Sequence, residues 1–186
     1  MADRGAEITA LGYALLGQIS IAPRSGYALR MVFETTPLGA YSSSPGSIYP
    51  ALKSLAAKGL VRTAGPGRGA RYELTTAGAA ALDGWLRAPV TAEEVTRRLD
   101  LQLLRFALLT GHPDRSLTQA FLRSFEAATA ARAAELRGFL EAGVGAAMPL
   151  QARLAVEHGQ QSLETSARWA AESWRRLTAE QKGGVG

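Results

Sequence analysis

The chain has 186 residues, 47% of them hydrophobic, enough for one or two compact domains and unlike a disordered or collagen-like polymer. It has no cysteine, which excludes disulfides, thiolate metal sites, a cysteine nucleophile and thiol-based redox sensing. The formal net charge is +5 and unevenly spread: residues 1–88 hold 9 Lys/Arg against 5 Asp/Glu, residues 89–186 hold 12 against 11, so the positive front half suits a polyanionic partner or a solvated surface.

The opening "MADRGAEITALGYALLGQI" has no basic stretch leading into a long apolar core, and no apolar run reaches membrane-spanning length. A cytoplasmic protein without a membrane partner is expected. In "ITALGYALLGQI", Ile8, Leu11, Leu15 and Ile19 fall at helical spacing and predict a first helix with one buried stripe. Ser25 is the expected N-cap of a second helix, "GYALRMVFETT", with Leu29, Val32 and Phe33 on one face and Pro37 forbidding continuation.

After the connection "PLGAYSSS", a third helix is expected to run to Lys58 and stop at Gly59. Ser44 followed by Pro45 offers one cap, and Ser47 another that leaves Pro50 in the tolerant first turn. Ile48, Leu52 and Leu55 make its buried stripe, which leaves Ser47, Tyr49, Pro50 and Lys53 on a small, hydroxylated, basic open side.

"LVRT", the glycine-rich "AGPGRG" and the alternating "ARYELT" then predict a β-hairpin with a basic tip. Thr75 or Thr76 caps a fourth helix, "AGAAALDGWLR", closed by Pro89. Three helices, a hairpin and a helix make a winged helix-turn-helix.

The rest is helical. "TAEE" has capping-box spacing ahead of "VTRRLDLQLLRFALL", whose apolar set is Leu99, Leu103, Phe106 and Leu109. A long helix from Asp114 carries Phe121, Phe125, Ala128, Leu136, Phe139 and Leu140; "GVGAAMP" reads as a linker. The last helix, from about Leu150, sets Val156, Gly159, Leu163, Ser166, Ala170, Trp174 and Leu177 in a narrow, coiled-coil-like seam. The expected class is mainly α with a small β-hairpin: a winged helix-turn-helix over 1–88 and a helical dimerisation domain over 89–186.

Together, "LGYALLGQI", "APRSGYAL", "SPGSIYPALKSLAAKGLV", "RGARYELTTAG" and "LDGWL" resemble the PadR family of bacterial transcriptional regulators over residues 8–88. "LDLQLLRFAL" and "EHGQQSLETSARWAAESW" are similar to the C-terminal dimerisation domain of its larger members. The resemblance implies that helix three enters the major groove while the hairpin tip reaches phosphates or the adjacent minor groove. A recognition helix also needs, on physical grounds, a slim first turn flanked by cations, which "SPGSIYP" and its neighbours supply.

The expected DNA contacts are Ser44, Ser47, Tyr49 and Lys53 on helix three, Arg68 and Arg71 on the wing, and Tyr27 at the start of helix two. Apolar surface left on the seam implies a homodimer, and a homodimer implies a palindromic operator and repression by occlusion. Trp85, Phe106, Trp169 and Trp174 are candidate lining for a small apolar or aromatic effector. Neither His112 nor His158 has partners at metal or triad spacing, and there is no phosphate-binding glycine loop, so no enzyme and no cofactor are expected. The alternative is a helical interaction adaptor whose winged domain binds protein.

Overall fold

The computed structural model describes residues 8–42, 45–65, 67 and 70–183, and the chain divides into two compact units, Met1–Leu86 and Arg87–Gly186. The first unit runs α1 (Ala10–Ile21), β1 (Arg24–Ser25), α2 (Gly26–Thr35), two 3-10 turns (Pro37–Tyr41 and Pro45–Ser47), α3 (Ile48–Ala57), β2 (Val61–Ala64), β3 (Arg71–Leu74) and α4 (Thr76–Arg87). It is the expected winged arrangement. Thr9 caps α1 by accepting the Gly12 N–H at 3.1 Å. More of α1 is buried than one stripe, because Ala14 and Leu16 are covered along with Leu15 and Ile19. The helix runs through the middle of the unit.

Ser25 caps α2 as expected, its Oγ accepting the Ala28 N–H at 3.1 Å, and Leu29 and Phe33 are buried with Val32 half-buried. Ser47 is a correction. It precedes α3 but caps nothing: its own backbone is already helical (φ −77°, ψ −20°), and the third residue of α3 is Pro50, which has no N–H to give. The hydroxyl shares a 2.7 Å hydrogen bond with Ser42 instead. Pro50 sits harmlessly in the first turn.

α3 ends at Ala57, one residue short of the expected boundary, in a Schellman motif. Gly59, at φ +68°, donates its N–H to Ala56 O at 2.9 Å, and Leu60 donates to Leu55 O at 2.9 Å. The hairpin follows directly.

A third strand joins the two expected ones, in the order β1-β3-β2, all antiparallel. Arg24 and Ser25 pair with Tyr72 and Arg71, covering an edge of β3 that would otherwise present unpaired backbone. Across β2 and β3, Arg62 and Glu73 sit opposite each other and form an ion pair at 3.0 Å. Thr75, not Thr76, caps α4, accepting the Gly78 N–H at 3.0 Å while donating its hydroxyl to Gly59 O at 2.6 Å.

The second unit contains α5 (Ala92–Leu108), α6 (Ser116–Glu141), the single turn α7 (Gly143–Ala146) where a linker was expected, and α8 (Leu150–Gly183). The capping box forms: Glu94 donates its N–H to Thr91 Oγ1 at 3.2 Å, and Thr91 donates its N–H to Glu94 Oε2 at 2.9 Å. The apolar face read for α5 is corrected. Arg98 is non-helical (φ −148°, ψ 61°), and the break rephases the helix, so that Leu103 is 44% exposed while Gln102, Leu104 and Arg105 turn inward; Leu109 is buried as expected, and Leu99 and Phe106 are half-buried.

Arg105 is a cation at zero exposure. Its guanidinium donates to Ala88 O at 2.8 Å, lies 5.1 Å from the Phe121 ring centroid and has the Glu94 carboxylate 3.8 Å away. Burial pushes its pKa below the ordinary arginine value, with the Glu94 charge opposing that shift.

α6 and α8 pack antiparallel, which the pairings Arg123 with Trp174 and Leu136 with Gly159 show. The expected seam is therefore covered by α6 of the same chain rather than left open: Leu163 and Ala170 are buried and the other seam residues half-buried. Phe139 also departs from expectation. It is exposed, and Leu140 takes the inward place where the chain turns into α7.

Asp114 fixes the entry to α6, with Oδ1 accepting from the N–H and hydroxyl of Ser116 at 3.1 and 2.6 Å and Oδ2 accepting from Arg87 at 3.0 Å. The Ser116 bond first, and Arg87 after it, hold this carboxyl below the usual aspartate range. A depressed folded-state pKa contributes stability above the unfolded value, lost as pH falls through the folded one. Asp114→Asn is accordingly expected to lower the thermal midpoint slightly at neutral pH, with the difference from the parent chain shrinking as pH falls below the ordinary aspartate pKa and vanishing below the lowered one. Melts across that range check it.

Candidate nucleic-acid interface

α3 is anchored along one side and open along the other. Ile48, Leu52 and Leu55 are buried, whereas Tyr49 is 48% exposed and Lys53, one turn further on, is exposed as well. The C-terminal end of the helix is tied to α4 through the Thr75 hydroxyl, and its first turn rests on α2, where the Tyr49 ring lies against Gly26. The helix can present only one face.

The corner at residues 24–27 brings the expected contacts together. Ser25 pairs with Arg71 across β1 and β3, Gly26 meets the Tyr49 ring, and Tyr27 stands 63% exposed beside them. Arg71 of the wing, Tyr27 of α2 and Tyr49 of α3 thus converge through one short segment. The two-residue strand that joins them carries no alternation for a sequence pattern to detect.

Charge sharpens this face. Arg62 is occupied by Glu73 and Arg30 by Glu34, but among the described residues Lys53 and Arg71 have no acidic partner and are exposed. Their charge is available to an anion. Ser47 is half-buried and engaged with Ser42, while Ser44 and Arg68 lie outside the described residues.

Residues 15–84 match the model of the transcriptional regulator PadR-like family. They form a PadR-like domain. That family is one of transcriptional regulators, not of enzymes. No curated protein matches the chain. Solved structures similar to it include a PadR-like transcriptional regulator from Bacillus cereus (20% identity, 91% of this chain and 99% of that one, TM-score 0.40) and Bacillus subtilis PadR in complex with operator DNA (21%, 91% and 99%, 0.40). The Vibrio cholerae virulence activator AphA is a third (20%, 91% and 99%, 0.39). The PadR-like domain contains α3, the corner at 24–27 and both hairpin strands.

The four candidate effector residues separate. Trp85 stacks on Tyr13 in the first unit, centroids 4.1 Å apart and planes within 12°. In the second unit Phe106 meets Trp169 edge to face at 5.2 Å, beside Phe121 and Phe125, and Trp174 lies under the Arg123 guanidinium at 5.3 Å. An open groove of about 380 Å³ between α6 and α8 is lined by Ala130, Ala133, Ala134, Arg137, Glu164 and Ala167, and by none of these aromatics. No helix among the described residues is long and apolar enough to cross a membrane.

Proposed function

We propose that the chain is a sequence-specific DNA-binding transcriptional regulator, a cytoplasmic homodimer that represses from a palindromic operator. The first domain, 1–88, reads DNA, with α3 in the major groove and the hairpin on phosphates; the second, 89–186, carries dimerisation. One observation carries this reading: the front of α3 is left uncovered by its own domain, beside Lys53 and Arg71, exposed cations with no acidic partner among the described residues. A slim helix front flanked by free positive charge is what groove entry requires.

Dimerisation is supported by large apolar side chains left outside the second unit's core, among them Leu103, Phe139, Leu150 and Leu154. Two-fold symmetry would place two recognition helices about 34 Å apart, one turn of duplex. Release by a small apolar or aromatic effector is supported by the half-open Phe106 and Trp169 pair. Tryptophan quenching by such a compound without any change in operator affinity removes that part.

Binding to duplex from upstream of the chain's own coding region, measured by anisotropy at several salt concentrations, tests the whole. Lys53→Ala and Arg71→Ala are each expected to weaken binding about tenfold at moderate salt and to reduce the salt slope by about 1, the dimer remaining intact. Binding that is absent or insensitive to salt overturns the reading in favour of a protein-binding adaptor. Unchanged affinity in both variants removes these two residues from the interface.

A further inference from the structure

Gly26 opens α2 in a place where its backbone does not call for glycine. The described glycines with positive φ are Gly59, Gly65, Gly67 and Gly111, so Gly26 has a conformation that alanine adopts freely. Alanine is also the better helix former. Something other than the backbone keeps the position bare.

That something is the ring of Tyr49. A Cβ built on Gly26 would stand 2.7 Å from Cε1, 3.4 Å from Cδ1 and 3.6 Å from Cζ, so one whole edge of the ring passes across the Gly26 Cα. Gly26 is buried beneath it, whereas the opposite side of the tyrosine faces solvent. We propose that Gly26 is a positioning residue for DNA recognition: its bare Cα is the seat that holds the Tyr49 ring in one orientation at the front of α3. The proposal rests on the DNA-binding reading above and names a determinant of its specificity.

The physics is preorganisation. An exposed tyrosine in the first turn of a helix has more than one staggered χ1 available, and a ligand that needs one of them must bear the ordering cost on binding. With one edge lodged against α2, the ring is ordered when the domain folds. Its open edge and hydroxyl then meet the duplex in a fixed place, which favours the matching sequence over others.

A side chain at position 26 displaces the seat at little cost to the fold, because the atoms in its way belong to the far end of a side chain that can swing outward. Gly26→Ala is expected to bind cognate duplex about tenfold more weakly, with an unchanged salt slope and unchanged affinity for unrelated duplex, since no charge is lost. In the Tyr49→Ala chain the same substitution is expected to change cognate affinity less than twofold.

A thermal-stability cycle tests the seat without DNA. Gly26→Ala should be neutral or lower the melting temperature when Tyr49 is present and raise it when Tyr49 is alanine. Equal stability effects in both backgrounds, or cognate affinity that is unchanged or falls equally with and without Tyr49, overturn the proposal. A parent chain showing coupled stability but no salt-dependent binding to duplex overturns the regulator reading and the DNA role of Gly26 with it, while leaving the seat itself established.

Discussion

Gly78→Ala is expected to lower the unfolding free energy by about 3 kcal/mol, the upper end of the range for overpacking. Position 78 is the third residue of α4, where helix propensity alone would rate alanine better by up to about 1 kcal/mol. The tertiary contact reverses that sign. A Cβ there would lie 1.9 Å from the carbonyl oxygen of Leu60 and 2.8 Å from its carbon, and backbone cannot rotate aside as a side chain does.

Relief requires α4 to withdraw from the segment that links α3 to the hairpin. That movement breaks the Thr75 N–H bond to Leu60 O at 3.1 Å and the Thr75 hydroxyl bond to Gly59 O, which fix the hairpin's base beside α3. Urea denaturation measures the loss. DNA binding at temperatures where the variant stays folded should also weaken, because wing and helix are no longer held in register. A variant as stable as the parent would show that this close approach relaxes freely.

Phe125→Ala is expected to cost more, about 3–5 kcal/mol, through lost burial and the cavity left behind. The ring is fully buried, stacked on Phe121 at 5.6 Å and meeting Trp169 edge to face at 5.8 Å. Removing it deprives both rings of a neighbour in the layer where α5, α6 and α8 meet. Tryptophan emission during chemical denaturation follows the change directly. A loss under about 1 kcal/mol would mean that the aromatic layer repacks and is not the structural centre of the second unit.

These two positions differ in how far a reader of the sequence could see them. Phe125 stood on an apolar face at helical spacing, and its burial follows from that spacing. Gly78 lay in "TTAGAAAL", where nothing local distinguishes it from the alanines around it; its constraint is the Leu60 carbonyl of another segment. Gly26 is the same kind of case. The Ser25 cap signals a helix start, but the reason for the glycine after it is a ring twenty-three residues further along.

The candidate interface divides in a similar way. Tyr49 and Lys53 follow from the polar side of α3, Arg71 from the basic hairpin and Tyr27 from the start of α2, and all four stand exposed on the first unit. Ser47 was misread, because capping was inferred from residue type while Pro50, three residues on, had removed the N–H a cap would bind. The β1 pairing that carries Ser25 to Arg71 was invisible, being too short to leave a period.

The ends of several helices were determined by the sequence alone, because they depend on residues within a few positions of one another: Ser25 on α2, the Thr91 and Glu94 box on α5, Gly59 after α3. Which faces are covered was decided only by tertiary structure. The break at Arg98 turned Leu103 outward and Arg105 inward, and α6 covered a seam on α8 that periodicity could identify but not partner. Periodicity reports that a face is apolar; burial depends on what long-range contacts bring against it, and those are made between segments whose separation no local pattern encodes.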